Sequence, residues 1–112
     1  MVNTFRSSRD IIIQTNAWDE AIHFYEFTLG LTVMHRSPDL VGFETGEFCF
    51  YVGKGVSHGP VFEFLVPDVQ SAKCQLVDAG CVVEDEDVSV PRCYIRDPFG
   101  LVFNIDQSPS GD

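Results

Sequence analysis

The stretch that decides the fold is Asp10–Gly30, which reads DIIIQTNAWDEAIHFYEFTLG. Its first five residues form a short run rich in β-branched side chains, which predicts a strand. Asn16 is a candidate N-cap for a helix over Trp18–Thr28, where apolar side chains recur near helical spacing. Gly30 supplies the helix stop. The predicted opening of the domain is therefore a strand followed directly by a helix.

The same order of elements returns in the second half of the chain. Val61–Val66 alternates as a strand, and Asp68 can cap a helix over Val69–Ala79. Gly80 then ends the helix. Three extended segments follow each helix: Leu31–Arg36, Leu40–Thr45 and Glu47–Val52 in the first half, and Cys81–Glu84, Arg92–Arg96 and Leu101–Asp106 in the second. The expected fold class is α+β, with paired β-α-β-β-β modules at about 10–53 and 61–106 in a single domain over residues 1–112.

Two polar stretches are expected to lie outside the regular elements. Gly53–Pro60 is rich in glycine and divides the chain near its middle, so it is the predicted linker between the modules. Glu84–Asp87 is a run of four acidic residues, and like charges at that density are typical of a solvated loop.

The charge balance restricts the partners. Seven basic and seventeen acidic residues give the 112-residue chain a formal net charge of −10. A field of that sign repels phosphate backbones and anionic lipid, so we expect neither nucleic acid nor membrane as a partner. The four cysteines show no C-x-x-C spacing, and Met1–Arg9 has no apolar core of a signal peptide. We therefore expect reduced thiols and a cytoplasmic protein.

Three short motifs resemble the vicinal oxygen chelate superfamily, which is also called the glyoxalase/bleomycin resistance protein/dioxygenase family. Ala21–Tyr25 followed by Leu29–Leu31 resembles its first-helix signature. Val66–Val69 resembles its V-x-D segment, and Arg96–Gly100 resembles its D-P-x-G turn. The resemblance covers about residues 10–106. It implies paired modules around a concave cavity and, in most members, a homodimer.

The resemblance also implies where a metal would be bound. Metal-dependent relatives take His and Glu ligands from four strands, and the corresponding positions here are Asp10, Phe50, Val61 and Asn104. Val and Phe side chains cannot coordinate zinc, iron or nickel. A slip of one residue to Cys49 or Tyr51 would not restore the set, because Val61 would still lack a donor. None of His23, His35 and His58 matches a ligand position. We therefore expect no metal site and no cofactor.

Side-chain alternation along the strands separates an apolar face, which the helices should cover, from a second face that carries polar and aromatic groups. The candidate ligand-binding residues are Gln14, Glu63, Arg92, Tyr94, Arg96 and Asn104 on this second face, with Phe50 expected near it. An internal ion pair of Glu63 with Arg92 or Arg96 accounts for the same charges equally well. His58, in the glycine-rich segment, is the histidine best placed to contact a ligand.

The favoured function is a metal-free small-molecule-binding protein, similar to the bleomycin-resistance branch. Its partner would be a small organic molecule, cationic or aromatic, such as an antibiotic or an endogenous metabolite. The alternative is a metal-dependent glyoxalase-like lyase or dioxygenase, which needs the four ligands. A metal-free catalyst using Tyr94 or Glu63 as acid or base and a pure interaction module also remain open.

Assembly can be tested directly. Curved sheets of two modules leave strand edges and apolar surface that association would cover. Together with the resemblance, this predicts a homodimer. Sedimentation equilibrium should give a mass twice that of the 112-residue chain, and a persistent monomer at high protein concentration would contradict the prediction.

Overall fold

The computed structural model describes residues 4–89 and 92–108 of the chain. These residues form two compact units. One is Arg9–Val61, here called the N-terminal module. The other, the C-terminal module, comprises residues 4–8 and 62–108. The elements follow the predicted order of strand, helix and three strands twice, which confirms the α+β fold class of β-α-β-β-β modules.

A four-stranded sheet with a short helix on one face makes up the N-terminal module. Its elements are β1 (Arg6–Thr15, with residues 9–15 in this unit), α1 (Trp18–His23), a π-helix (Phe24–Thr28), β2 (Thr32–Arg36), β3 (Leu40–Glu44) and β4 (Cys49–Lys54). The strand order is β2-β3-β4-β1, with β1 and β4 parallel and the other pairs antiparallel. Ile22 of α1 packs in one buried cluster with Val41 and Phe43 of β3.

The C-terminal module repeats this arrangement. Its elements are β5 (His58–Val66, with residues 62–66 in this unit), α2 (Val69–Asp78), β6 (Val82–Asp87), β7 (Arg92–Arg96) and β8 (Val102–Gln107). The strand order is β5-β8-β7-β6, with β5 and β8 parallel. Ala72 of α2 packs with Ile95 and Ile105 in the buried core. No helix in the described ranges has the length and apolar character that crossing a membrane requires.

The first helix differs from its prediction. The helix expected over Trp18–Thr28 becomes a π-helix from Phe24 onward. Its N-cap is Ala17 rather than Asn16, and no side chain caps it. Instead, the Thr15 hydroxyl accepts a hydrogen bond from the Ala17 N–H at 3.1 Å, which forms the turn that precedes the helix.

Two segments predicted as loops are largely strand. Of Gly53–Pro60, only residues 55–57 lie outside β4 and β5. The acidic run Glu84–Asp87 lies in β6, an edge strand of its module's sheet, where charged side chains are common. Cations from neighbouring elements offset its like charges. The pairs are Lys73–Glu86, Arg92–Asp85 and Arg96–Glu84.

The side chain of Asp97 stabilises the turn between β7 and β8. An Asp97 carboxylate oxygen accepts hydrogen bonds from the N–H groups of Phe99 at 2.9 Å and Leu101 at 3.0 Å. Gly100 has a φ of 101°, a conformation that glycine adopts without strain. The D-P-x-G motif is thus explained by local structure.

A close approach between two strands of the N-terminal module requires a glycine. Gly42 of β3 pairs with Tyr51 of β4, and the Tyr51 ring lies across the Gly42 backbone. A Cβ atom on Gly42 would lie 2.7 Å from Cε1 of Tyr51. Any larger residue at position 42 therefore forces the ring to move.

Gly42→Ala should lower the free energy of unfolding by about 1–3 kcal/mol, as overpacking typically does. Gly59→Ala is the matched control, because Gly59 also lies in a strand and a Cβ there would meet nothing within 4 Å. The control should change stability by less than about 0.5 kcal/mol. Denaturant titration measures both, and equal losses would contradict the proposed close approach.

Candidate ligand-binding site

Three of the predicted site residues form a row across the C-terminal module. Glu63 of β5 and Tyr94 of β7 are both register partners of Asn104 in β8. The neighbours of Asn104, Phe103 and Ile105, lie in the core against α2. Alternation therefore puts the row on the sheet face opposite the helix, here called the helix-free face. Asn104 is only 2% exposed and Tyr94 only 5%.

The Asn104 amide is engaged at both ends. Its Nδ2 donates to a Glu63 carboxylate oxygen at 2.9 Å, and its Oδ1 accepts the backbone N–H of Cys93 at 2.7 Å. A buried amide needs such partners, because leaving one of its atoms unsatisfied costs about 1–3 kcal/mol. The amide therefore links β5 to β7 through β8.

The two arginines of β7 differ in their contacts. The Arg92 guanidinium lies 5.4 Å from the centre of the Tyr94 ring and forms a salt bridge to Asp85 at 3.3 Å. Burial raises the pKa of the Tyr94 phenol, and the nearby Arg92 charge acts in the opposite direction. Arg96 has a half-exposed side chain and pairs with Glu84. The structure thus joins Arg92 to the row and places Arg96 in a surface ion pair.

Phe50 lies on the opposite face from the one predicted. It is the register partner of Ile11, and its ring centre is 4.9 Å from that of Tyr25 on the helix side. Tyr51 occupies the helix-free face instead, beside Ile12 and Gly42. A shift of one residue along a strand exchanges its two faces, so Tyr51 takes the place that was predicted for Phe50.

Gln14 lines a cavity of about 390 Å³ in the N-terminal module. The wall consists of Ile13, Gln14, Thr15, Ala21, Tyr25, Ser57, His58 and Gly59. These residues come from the end of β1, the first helical segment, the 55–57 loop and the start of β5. The cavity thus combines apolar and aromatic surface with amide, hydroxyl and imidazole groups.

The His58 ring contacts the backbone beside this cavity. Its Nδ1 lies 2.9 Å from the carbonyl oxygen of Gly59. A carbonyl can only accept, so this contact requires a proton on Nδ1. His58 is the histidine that the sequence favoured for ligand contact. Tyr25 and Ser57 had not been predicted, because only the fold brings them beside Gln14, and Thr15 had not been predicted although it follows Gln14 directly in the sequence.

The residues at the implied metal positions do not fit a metal site. Val61 is buried and has no donor atom, and the Asn104 amide is hydrogen-bonded at both ends. Burial raises the pKa of Asp10, which disfavours the carboxylate that a metal needs. In residues 4–89 and 92–108, no three His, Cys, Asp or Glu side chains are grouped as metal ligands. The donor set is therefore wrong for zinc, iron or nickel.

No family model and no curated protein matches the chain. Solved structures do match. A glyoxalase/bleomycin resistance protein/dioxygenase superfamily member from Vibrio splendidus superposes with a TM-score of 0.63 at 15% identity, over 94% of this chain and 100% of that one. The chain has the glyoxalase/bleomycin resistance protein/dioxygenase fold.

Two longer proteins contain the same fold. The Mn(II)-bound glyoxalase from Novosphingobium aromaticivorans matches with a TM-score of 0.62 at 16% identity, over 95% of this chain and 40% of that one. A variant of homoprotocatechuate 2,3-dioxygenase from B. fuscum matches with 0.65 at 18%, over 93% of this chain and 33% of that one. At such identities the likeness establishes the fold, and the chemistry has to be argued from this chain's own residues.

Asn104→Asp tests the polar row, because it keeps an acceptor for Cys93 but replaces the amide that donates to Glu63 with a carboxylate. Two facing carboxylates repel each other, so the free energy of unfolding should fall by about 2–4 kcal/mol at pH 7. The loss should shrink below about pH 5, where one carboxyl of such a pair holds a proton. Denaturant unfolding at the two pH values measures both effects.

The control combines Asn104→Asp with Glu63→Gln. The new amide can donate to the new carboxylate, so the double variant should recover most of the lost stability at pH 7. Equal losses in the single and double variants, or a loss that does not depend on pH, would show that the bond between Asn104 and Glu63 does not stabilise the row.

Proposed function

We propose that this chain is a metal-free small-molecule-binding protein and that its ligand occupies the cavity lined by Gln14 and His58. The observation that carries the proposal is the composition of that cavity. A volume of about 390 Å³ suits a small organic molecule. Apolar walls with a few convergent polar groups are the usual anatomy of such a site.

The cavity favours an aromatic ligand with polar substituents. The Tyr25 ring supplies aromatic surface to the wall, and Ile13 and Ala21 supply apolar surface. The Gln14 amide and the His58 imidazole supply polar groups to the same wall. The net charge of −10 favours a cationic over an anionic molecule. An antibiotic and an endogenous metabolite both belong to this class.

The hydrogen bonds around Asn104 in the C-terminal module support ligand binding without a metal. In place of a metal ligand, position 104 carries an amide that bonds Glu63 and Cys93. Val61, at another of the metal-ligand positions that the resemblance implies, is buried and has no donor atom. A metal-dependent lyase or dioxygenase therefore lacks support in this chain's residues, and it becomes an outcome of the experiment below.

We further propose that the protein forms a homodimer in the cytoplasm. Large apolar side chains are exposed in both modules, including Phe27 at 66% and Phe99 at 92%, and association would remove such surface from water. Cys49, Cys81 and Cys93 are free and buried, as expected of a protein kept in a reducing compartment.

Benzamidine, an aromatic cation, is the probe for the cavity. In a ¹H–¹⁵N NMR titration of the full chain, saturable shifts should be confined to amides at the cavity, among them Gln14, Thr15, Ser57 and His58. Gln14→Ala and His58→Ala should each weaken binding about 10-fold, the equivalent of one lost hydrogen bond of about 1.4 kcal/mol.

Gln75→Ala and His35→Ala are matched controls, because both residues are exposed and lie outside the cavity. They should leave the affinity unchanged. Shifts spread over the surface, or equal losses in the control variants, would contradict the assignment of this cavity.

Elemental analysis tests the absence of a metal. After incubation with Mn²⁺, Zn²⁺, Fe²⁺ or Ni²⁺ and dialysis, the protein should retain no stoichiometric metal. One equivalent of metal per chain that is lost in Asp10→Ala would overturn the proposal and favour the metal-dependent enzyme.

A further inference from the structure

A second cavity, of about 340 Å³, lies in the N-terminal module beside the π-helix. It is lined by Ile11, Tyr25, Leu29, Leu31, Thr45, Phe48 and Phe50. Tyr25 also lines the Gln14–His58 cavity, so one aromatic ring borders both. The two cavities differ in chemistry, because the second has neither a charged nor an amide side chain in its wall.

The wall of this second cavity, here called the apolar cavity, offers little hydrogen bonding. The Thr45 hydroxyl donates to the Phe48 carbonyl at 2.6 Å, so its proton is already engaged. The Tyr25 ring packs edge-on against Phe50, with 4.9 Å between ring centres. A charged or strongly polar ligand would lose its hydration here without replacement partners, which is costly. A neutral apolar ligand would not.

The π-helix shapes the apolar cavity. The Leu29 N–H donates to the Phe24 carbonyl and the Leu31 N–H donates to the Tyr25 carbonyl, each at 3.0 Å. The first of these spans five residues rather than four, so the turn is wider than an α-helical turn. Tyr25, Leu29 and Leu31 all belong to the cavity wall. Single π-turns are uncommon and are frequent at functional sites.

The mouth of the apolar cavity is hydrophobic. Leu29 is 54% exposed and Phe48 is 36% exposed, although both are large apolar side chains. Each would gain from burial at about 25 cal/mol per Å² of apolar surface. An occupant that fills the cavity would cover part of both.

We infer that the apolar cavity is a second ligand site, which takes a neutral aromatic or short hydrocarbon group. Its volume lies in the range of small-molecule pockets, about 300–1,000 Å³. The aromatic wall of Tyr25, Phe48 and Phe50 suits a flat ring. This inference does not depend on the function proposed for the Gln14–His58 cavity.

N-phenyl-1-naphthylamine, a neutral apolar dye that fluoresces in dry surroundings, tests the inference. The full chain should bind it saturably, with one site per chain. Leu29→Asp should weaken binding at least about 10-fold, because it places a charge at the mouth. Leu29 is half exposed, so the variant should still fold, which far-UV circular dichroism checks. Leu29→Trp, which narrows the mouth without a charge, should also weaken binding.

Phe27→Asp is the matched control. Phe27 lies on the same π-helix and is 66% exposed, but it does not line the cavity. Its affinity for the dye should stay within about twofold of the wild type, which is less than about 0.5 kcal/mol. Equal losses in Phe27→Asp and Leu29→Asp would overturn the inference, because the dye would then coat exposed apolar surface.

Two further results separate the alternatives. Gln14→Ala and His58→Ala should bind the dye as the wild type does, and a loss of dye binding in both would mean that the dye occupies the other cavity. Sedimentation with the dye should show no change in mass. If Leu29→Asp instead dissociates an oligomer and dye binding is lost with it, the mouth is a contact between copies of the chain and the inference is overturned.

Discussion

In each module a helix covers one face of a four-stranded sheet, and the alternation of side chains along the strands decides what lies on the other face. Phe103 and Ile105 of β8 pack against α2, so Asn104 between them has to face away. Ile11 and Ile13 of β1 are directed to the helix side in the same way. The polar row and the apolar cavity depend on this division, because it decides which side chains are available to each.

The Asn104 amide decides the chemistry of the helix-free face in the C-terminal module. Solved structures of the same fold include a Mn(II)-bound glyoxalase. In this chain the Asn104 amide accepts from Cys93 through its oxygen and donates to Glu63 through its nitrogen. Inside a sheet, a fully bonded polar network of this kind rigidifies its strands. The amide atoms thus connect β5, β8 and β7.

In the N-terminal module, residues of α1 and the π-helix border the two cavities. There Tyr25 lies between a cavity with amide and imidazole groups and a cavity without them. The π-helix that carries Tyr25 widens the backbone where the second cavity opens. The β-α-β-β-β order is repeated in the chain, and the two modules that share it have different chemistry. The C-terminal sheet carries buried hydrogen bonds, and the N-terminal helix borders two cavities.

The sequence by itself determined the order of elements, the turn at Asp97 and the facing of Glu63, Tyr94 and Asn104, because these follow from local patterns and from period-two alternation. It could not decide which faces Phe50 and Tyr51 occupy, since a one-residue error in the placement of β4 exchanges the faces of the strand.

Contacts between different elements could not be predicted from the sequence either. The acidic run Glu84–Asp87 of β6 was predicted as a loop from its charge density, because its pairing with Lys73, Arg92 and Arg96 forms only in the folded module. The π-helix depends on a hydrogen bond between Leu29 and Phe24 that helical periodicity does not distinguish from an α-helical one. The Gln14–His58 cavity exists only where β1, α1, the π-helix and β5 converge, so tertiary structure alone could decide it.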